Sequence, residues 1–210
     1  MSVKNNIKDI FANQRLLPII QADTISEGIA VTGAMEKAGL SVVEVVLRNE
    51  QALALAAEIK KSFPNLILGV GTIYNTELLD KALEAGADFI VTPAVTPNLA
   101  KALVECGKPI LPGVGGLSDI ATLLEYGVTE MKLFPAEVVG GIGLLKAVSS
   151  VFKEVTFCPT GGITPANQCD YLAQPNVFAV GGTWMVPKDA VKSGQWDLII
   201  RNCKDAMAAC

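Results

Sequence analysis

Apolar and β-branched residues recur along the chain in eight short runs, each followed by a longer amphipathic stretch. The runs begin near residues 16, 41, 66, 88, 109, 130, 155 and 177, a repeat of roughly 21 to 25 residues. Such a repeat fits one strand, one helix and two short loops. Strands that are apolar on both faces are typical of a parallel sheet covered by helices. The eight runs are LLPIIQA, SVVEVVL, LILGVGTI, DFIVTP, PILPGV, EMKLFP, VTFCPTG and VFAVGG.

Eight strand and helix units predict an α/β protein with a single domain over residues 1–210, folded as a (β/α)8 TIM barrel. An open, doubly wound parallel sheet is the alternative that the same pattern allows. The polar segment SVKNNIKDIFANQ, residues 2–14, predicts an extra N-terminal helix that covers the bottom of the barrel. No linker or shift in composition indicates a second domain.

Residues that begin or end helices separate the predicted elements. Helix starts are predicted from good capping residues, namely Ser26, Asn75, Ser118 and the pair Thr96–Pro97. Helix ends are predicted from glycines that tolerate a left-handed backbone, namely Gly39, Gly86, Gly107 and Gly127.

Composition narrows the possible partners. Half of the 210 residues are hydrophobic and only 18% are charged, with a net charge of -4 and a pI near 4.9. Nucleic acids and anionic membranes select for basic surfaces, so neither is expected as a partner, and a small anionic ligand would need a local positive site. No apolar run reaches the ~18 residues of a membrane span, and the polar N-terminus lacks a signal-peptide core. We therefore expect a soluble, cytoplasmic protein.

Cysteine and histidine counts limit the chemistry further. Five cysteines without closely spaced pairs predict reduced thiols rather than a disulfide framework or a zinc site. Histidine is absent, which excludes Ser-His-Asp and Cys-His catalysis and every histidine-dependent metal site. Acid–base or covalent chemistry must therefore use Lys, Glu, Asp, Tyr or Cys.

A lysine interrupts the sixth apolar run, EMKLFPAE, where an unpaired ammonium is costly to bury. Side chains alternate along a strand, so Lys132 shares a face with Phe134, opposite Met131 and Leu133. If Met131 and Leu133 pack on the helices, Lys132 points into the barrel.

The same alternation predicts more polar side chains inside the barrel near the strand ends. Glu44 and Arg48 share the inner face of the second run, and Thr72 and Thr160 lie on the inner faces of the third and seventh. Barrel active sites lie at the carboxyl ends of the strands. A desolvated amine loses proton affinity, and the neutral amine forms Schiff bases, so we favour a chemical role for Lys132. The alternative is a structural Lys-Glu ion pair.

Two glycine pairs follow the last two predicted strands, namely Gly161 with Gly162 and Gly181 with Gly182. Many TIM barrels bind a phosphate group at these two positions. Thr164 as an N-cap, with Pro165 as the first helical residue, predicts free backbone N–H groups at the barrel mouth. The stretch PGVGG, residues 112–116, is interpreted as a turn.

Together these motifs resemble those of the bacterial class I aldolases that cleave 2-keto-3-deoxy-6-phosphogluconate (KDPG), many of which also act on 4-hydroxy-2-oxoglutarate (KHG). The resemblance extends from LLPII to the last predicted helix. The motifs that carry it are EVVLRN, GVGT, VTPAVT, KLFPAE, CPTGG and GGTW. It implies a (β/α)8 barrel without metal or cofactor, commonly a homotrimer, that acts on a small 2-keto acid in the Entner–Doudoroff pathway.

By this resemblance, Lys132 forms the Schiff base and Glu44 transfers protons, while Arg48 and Thr72 bind the pyruvyl carboxylate. The substrate pocket would be completed by Pro93, Phe134 and Thr160. The phosphate would be bound by Gly161, Gly162, Gly181, Gly182 and Thr183. The implied reactions release pyruvate, with glyceraldehyde 3-phosphate from KDPG or glyoxylate from KHG.

Two departures from the family's pattern bear on phosphate affinity: Thr183 stands where serine is usual, and Asn49 where threonine is frequent.

Three alternatives stay open from the sequence. The substrate could be the galactonate epimer of KDPG. The enzyme could be a metal-assisted aldolase or epimerase with Glu44 among its ligands. The barrel could also bind phosphate without catalysis. Trp184 and Trp196 are expected in the core or an interface.

Overall fold

The computed structural model describes residues 7–210, and residues 2–6 of the predicted N-terminal helix lie outside that range. Helices and strands alternate along the described chain. The helices are α1 Ile7–Ile10, α2 Ile25–Ala38, α3 Ala52–Ser62, α4 Thr76–Glu84, α5 Pro97–Glu105, α6 Leu117–Glu125, α7 Gly141–Val151, α8 Gln168–Leu172, α9 Lys188–Lys192 and α10 Trp196–Ala208. The strands are β1 Leu16–Ile20, β2 Val42–Val46, β3 Ile67–Gly71, β4 Phe89–Val91, β5 Ile110–Leu111, β6 Gly113–Val114, β7 Glu130–Leu133, β8 Thr156–Phe157 and β9 Val180–Gly182.

All strand pairs are parallel, and nearly every strand lies beside its neighbour in the chain. Six strands form one curled sheet in the order β5-β4-β3-β2-β1-β9, and three form a second in the order β6-β7-β8. Two isolated parallel bridges, Phe157 with Val177 and Thr160 with Gly181, connect the β8 segment to the β9 segment. The α/β class and the parallel sheet predicted from the apolar runs are confirmed.

Each of the eight apolar runs contains at least one strand. The fifth run is divided at Pro112 into β5 and β6, which pair with β4 on one side and with β7 on the other. The interpretation of PGVGG as a turn was wrong in part, because Gly113 and Val114 form β6. A proline lacks the N–H group needed to continue a strand ladder, which accounts for the division at Pro112.

Two of the five predicted helix starts, those at Asn75 and Thr96, are confirmed. The side chains of Asn75 and Thr96 accept hydrogen bonds from the backbone N–H groups of Leu78 and Leu99, each three residues after the cap. The predicted starts at Ser26 and Ser118 were wrong: α2 is capped by Thr24 and α6 begins after Gly116. In both of those helices an acidic side chain one residue beyond the predicted cap accepts from the backbone N–H groups that precede the helix.

The four glycines predicted to end helices all have positive φ angles. The values are 96° at Gly39, 86° at Gly86, 73° at Gly107 and 74° at Gly127. A left-handed backbone at these positions lets the chain turn from each helix toward the next strand.

Buried apolar residues form two separate clusters, as expected for a sheet with two covered faces. The larger cluster lies between strands and helices and includes Val43, Met131 and Leu133. The smaller cluster combines Val42 and other alternate strand residues with Ile7 and Phe11 from the N-terminal segment. Phe11 packs edge-on against Phe89, with ring centroids 6.1 Å apart. The described N-terminal segment therefore covers one end of the smaller cluster, which lies on the inner face of the sheet and is called the inner cluster. The larger cluster, on the helix side, is called the outer cluster.

One cysteine prediction was wrong. Cys169 and Cys210 form a disulfide, with a Cα–Cα distance of 5.6 Å, whereas Cys106, Cys158 and Cys203 are free thiols. The two bonded cysteines are 41 residues apart in sequence, and only the packing of α8 against the end of α10 brings them together.

Among residues 7–210, no helix combines the length and apolar character needed to cross a membrane. The longest helix described, α2, has 14 residues, fewer than the ~20 that span a bilayer.

Candidate active site

A buried lysine and a buried glutamate form an ion pair inside the sheet. Lys132 on β7 is 5% exposed and Glu44 on β2 is 0% exposed. The Lys132 Nζ lies 3.3 Å from Glu44 Oε1 and 3.5 Å from Oε2, and 5.4 Å from the centroid of the Phe134 ring. The alternation of side chains therefore predicted the inner face of both strands correctly, since Met131 and Leu133 belong to the outer cluster.

Glycine on the neighbouring strand makes room for the Glu44 carboxylate. Glu44 lies beside Gly69 in the register of β2 and β3, and Val46 lies beside Gly71. A Cβ atom built on Gly71 would overlap Glu44 Oε1. The sequence reasoning used this motif, GVGT, for its threonine and missed the role of Gly71. A glycine inside an otherwise β-branched strand was the available signal, because it indicates a close approach.

Thr72 and Arg48 follow the ends of β3 and β2. Thr72 has a φ of 70°, and within residues 7–210 no other non-glycine residue has a positive φ. This backbone is costly for a β-branched residue and is found mainly at functional sites. Arg48 is exposed, and its guanidinium has no hydrogen-bond partner among the described residues. It lines a cavity of about 170 Å³ together with Asn49 and Lys188, a lysine that the sequence reasoning did not consider.

Thr160 is buried at the end of the β8 segment, where its hydroxyl donates to the Cys158 carbonyl oxygen at 3.4 Å. Its backbone bridges to Gly181, so the two glycine pairs lie side by side, the first in a loop and the second at the end of β9. Pro93 and Phe134 are half-buried at the ends of β4 and β7.

Backbone donors are available in the first glycine loop and directly after β9. The N–H groups of Gly161, Gly162 and Thr183 donate to no acceptor within residues 7–210. The predicted helix start was wrong, however: α8 begins at Gln168, and the Thr164 N–H donates to Asn167 Oδ1 at 2.8 Å. The stretch after the glycines is a turn, so free donors come from the loops rather than from a helix N-terminus.

A second carboxylate, at Glu137, lies beside the first glycine loop. A Cβ atom on Gly162 would overlap the Glu137 side chain, and the Glu137 N–H donates to the Gly161 carbonyl oxygen at 3.2 Å. The Tyr171 hydroxyl donates to Glu137 Oε1. Glu137 is the last residue of KLFPAE, but its contact with the loop depends on tertiary structure, and the sequence reasoning gave it no role.

The buried thiol of Cys158, which interacts electrostatically with Lys132 and Glu44, is not suited to act as a nucleophile. Burial raises the pKa of Cys158 to about 12, although the positive charge of Lys132 opposes the shift. Cys158 therefore stays protonated near neutral pH. The group suited to nucleophilic attack is the Lys132 amine, with Glu44 within proton-transfer distance of it.

Acidic side chains do not cluster around Glu44. Among residues 7–210, no group of three or more Cys, Asp or Glu residues is arranged to hold a metal ion. The Glu44 carboxylate is instead paired with an amine.

Comparisons with known proteins give matches over nearly the whole chain. Residues 7–202 match the family described as KDPG and KHG aldolase. The chain is 38% identical over 204 residues to a KHG/KDPG aldolase of Escherichia coli K12, covering 97% of this chain and 96% of that protein. The crystal structure of a Legionella pneumophila KDPG aldolase, with pyruvate captured at low pH as a covalent carbinolamine, superposes with a TM-score of 0.92, 36% identity and coverage of 95% and 97%. A Zymomonas mobilis enzyme of the same activity, solved with 3-phosphoglycerate, gives a TM-score of 0.90, 36% identity and coverage of 98% and 97%.

Proposed function

The chain belongs to the KDPG and KHG aldolase family of carbon–carbon lyases, and on that premise we propose that it cleaves KDPG to pyruvate and glyceraldehyde 3-phosphate through a Schiff base at Lys132. The observation that carries this proposal is the buried pair of Lys132 and Glu44, with 3.3 Å between Nζ and Oε1. An amine held in a site with little water and next to a proton-transferring carboxylate meets the two needs of imine chemistry.

The proposal includes a closed (β/α)8 barrel, completed by the N-terminal segment at its lower end. Three features support closure: the β5–β6 segment pairs on both sides, β9 returns to β1, and the Thr160–Gly181 bridge connects β8 to β9. In such a barrel the interior side chains of β2 and β7 converge, which places the Lys132 amine and the Glu44 carboxylate near the carboxyl ends of the strands.

The first half of the reaction forms the imine. The neutral Lys132 amine attacks the C2 carbonyl carbon of the substrate to give a carbinolamine, and Glu44 in its acid form protonates the departing hydroxyl group. Loss of water leaves a protonated imine between Nζ and C2. The covalent carbinolamine of pyruvate in the Legionella enzyme supports this step by similarity.

The second half breaks the carbon–carbon bond. The Glu44 carboxylate takes the proton of the C4 hydroxyl, the C3–C4 bond cleaves, and its electron pair moves into the iminium to form an enamine. Glyceraldehyde 3-phosphate departs as the aldehyde. The protonated Glu44 then returns a proton to C3, and hydrolysis of the imine releases pyruvate. One carboxyl group serves every proton step because the steps follow one another.

Arg48 and Thr72 bind the substrate carboxylate in this proposal. The exposed Arg48 guanidinium has no partner among the described residues, so its planar fork is available for a bidentate pair with a carboxylate. The left-handed backbone at Thr72 turns the chain sharply at the end of β3, next to the glycine that admits Glu44. Pro93 and Phe134 form the walls of the pocket, and Thr160 contacts the polyol portion of the substrate.

The phosphate group binds at the two glycine pairs, Gly161 with Gly162 and Gly181 with Gly182, together with Thr183. Unused N–H groups at Gly161, Gly162 and Thr183 support this assignment, since backbone donors that converge in a loop form an anion-binding site. The Zymomonas structure with 3-phosphoglycerate supports a phosphorylated ligand by similarity.

KHG is proposed as a second substrate, cleaved to pyruvate and glyoxylate by the same steps. The observation in its favour is the cavity of about 170 Å³ that Arg48 shares with Lys188, because these two cations outnumber its one acidic residue, Asp23, and leave a net positive charge for a second carboxylate. Ratios of kcat/KM for KDPG, its galactonate epimer and KHG rank the substrates.

A homotrimer is proposed by family resemblance, and sedimentation equilibrium tests it.

The experiment that tests the mechanism is borohydride trapping with pyruvate in the presence of EDTA, followed by peptide mass spectrometry. We expect a pyruvyl adduct on the peptide that contains Lys132, its loss in Lys132→Ala, and full trapping in Lys146→Ala, which removes an exposed lysine on α7. An adduct on another lysine would contradict the assignment. Trapping and turnover that both require a metal ion would favour a metal-assisted aldolase.

Glu44→Gln separates the two roles. It keeps the shape and hydrogen-bonding oxygen of the side chain but cannot transfer the proton, so we expect trapped imine with turnover reduced by about 10²- to 10⁴-fold. Equal losses of trapping and turnover in Lys132→Ala and Glu44→Gln would contradict this division.

A further inference from the structure

A second cavity lies away from Lys132 and is formed by α8, the loop after β9 and α10. Its volume is about 330 Å³, larger than the cavity of about 170 Å³ beside Arg48. The cavity is lined by residues from these three segments and shares none with the Lys132 site. Its size lies within the range of small-molecule sites.

Two residues that line this cavity each carry a buried polar atom without a hydrogen-bond partner among the described residues, namely Gln168 Oε1 and Trp184 Nε1. Gln168 is only 1% exposed. Its Nε2 donates to the Ala206 carbonyl oxygen at 3.2 Å, which fixes the orientation of the amide and leaves Oε1 as the free atom. Buried polar groups are nearly always paired, so these two atoms indicate a missing partner.

The two atoms require opposite partners. Gln168 Oε1 accepts a hydrogen bond, whereas the indole N–H of Trp184 can only donate one. A molecule that satisfies both must therefore carry a donor and an acceptor.

The charge of the lining favours a cation. Asp205 and Asn202 line the cavity, and no Lys or Arg side chain does. A carboxylate and an amide oxygen attract an ammonium group and disfavour phosphate or another carboxylate. This separates the cavity from the proposed active site, whose substrate and products are anions. The other lining residues, Pro165, Ala206 and Ala209, offer an apolar surface for a carbon skeleton.

We propose that this cavity binds a small organic amine that carries a hydroxyl or carbonyl oxygen close to its ammonium group. The ammonium group donates to Gln168 Oε1 and to Asp205, the neighbouring oxygen accepts from the Trp184 indole, and the carbon skeleton covers the alanines. Trp184 also packs on Gly182, where a Cβ atom would overlap its ring. The bound amine would therefore lie next to the segment that follows β9.

The test uses the whole chain, isothermal titration calorimetry and three matched probes, with saturating pyruvate present throughout. The first probe, 2-amino-1-phenylethanol, has the ammonium and the hydroxyl group. The second, 2-phenylethylamine, lacks the hydroxyl, and the third, 1-phenyl-1,2-ethanediol, lacks the ammonium. We expect saturable binding of the first in the range of ~1–10 mM, as for a ligand of about ten heavy atoms, and weaker binding of the other two.

Variants locate the binding. Asp205→Asn should weaken binding of the first probe about tenfold, whereas Asp197→Asn, an exposed acid on α10 outside the cavity, should not change it. Trp184→Phe removes the indole donor and should equalise the first two probes, with Trp196→Phe as its control. Thermal unfolding of each variant verifies that it folds.

Three outcomes would overturn the proposal. The first is no saturable binding of any probe, which would leave ordered water as the partner of Gln168 and Trp184. The second is binding that Asp205→Asn and Trp184→Phe leave unchanged. The third is binding that appears only when pyruvate is omitted, which would place the probe at Lys132.

Discussion

The Tyr171 hydroxyl donates a hydrogen bond to Oε1 of Glu137 and so joins α8 to the loop that follows β7. Tyr171 is fully buried, and burial, reinforced by the Glu137 carboxylate, raises its pKa well above the ordinary value. Gly162 lies directly on the Glu137 side chain, and the Ala136 N–H donates to the Thr160 carbonyl oxygen at 2.8 Å. The segment that carries Lys132 and the first glycine loop are therefore held in one fixed arrangement.

Removing the Tyr171 hydroxyl should loosen this arrangement. We expect Tyr171→Phe to lower the free energy of unfolding in urea by about 1–2 kcal/mol, because a hydrogen bond to a carboxylate is lost without a change of shape. The KM for KDPG should rise, while borohydride trapping of pyruvate stays unchanged. Tyr126→Phe is the matched control, since the Tyr126 hydroxyl makes no hydrogen bond within residues 7–210. Equal destabilisation of the two variants would show that the hydrogen bond contributes nothing.

The buried ion pair should be energetically coupled as well as reactive. Lys132→Met leaves the Glu44 carboxylate buried without its cation, so we expect a loss of about 3–5 kcal/mol in the free energy of unfolding. Adding Glu44→Gln to Lys132→Met removes the unpaired charge and should recover part of that loss. Urea unfolding of the wild type, both single variants and the double variant measures the coupling. Additive losses would mean that the two side chains do not stabilise each other.

The repeat of apolar runs and the alternation of side chains within each strand predicted much of this site. The apolar repeat located all eight strand segments, and alternation within EMKLFP and SVVEVVL predicted the inner faces on which Lys132 and Glu44 meet in the structure. Both predictions follow from local rules: side chains on a strand alternate, and the active site of a barrel lies at the carboxyl ends of its strands. The roles of the site residues remain proposals.

The missed features depend on contacts between distant parts of the chain. Glu137 meets Tyr171 across 34 residues, and Cys169 meets Cys210 across 41, so neither spacing carries a local signal. The wrong helix start at Thr164 has a local cause: Asn167 accepts from the Thr164 N–H and holds the segment in a turn before α8 begins. A capping residue in sequence indicates a chain reversal without fixing which residue begins the helix.

The geometry of Arg48 should matter more than its charge. Arg48→Lys keeps the positive charge but loses the planar fork, so we expect the KM for KDPG to rise about tenfold or more with a smaller change in kcat. Arg48→Ala should raise it further. Lys188→Ala tests the other cation of the same cavity and should affect KHG more than KDPG. Steady-state kinetics on both substrates provide the comparison, and an unchanged KM in Arg48→Lys would remove Arg48 from the carboxylate site.

Burial of the Cys158 thiol predicts a loss of stability at alkaline pH. Its pKa is raised from 9.0 to about 12 in the folded protein, so the folded state keeps a proton that the unfolded state releases above pH 9. The stabilising contribution is therefore complete below pH 9 and is lost as the pH rises from 9 to 12. The destabilisation caused by Cys158→Ala should shrink by about 1–2 kcal/mol between pH 8 and pH 10.5 in urea unfolding with reductant present. Cys106→Ala, at a half-exposed thiol, should show a smaller change, and a constant difference for Cys158→Ala would contradict the assignment.

Gly71 should control the position of Glu44. Gly71→Ala places a methyl group where Glu44 Oε1 lies, which forces the carboxylate away from the Lys132 amine. Overpacking of this kind costs about 1–3 kcal/mol, and displacing a proton-transferring group by an ångström lowers rates by about 10²-fold. We therefore expect kcat for KDPG to fall much more than stability alone explains, with slow but detectable trapping of pyruvate. Gly143→Ala on α7 is the control, because its added Cβ meets no atom within 4 Å, and it should leave kcat unchanged while raising stability slightly. Full activity in Gly71→Ala would show that the reaction does not require the Glu44 carboxylate at its position over Gly71. That result would contradict the proposed role of Glu44 in proton transfer.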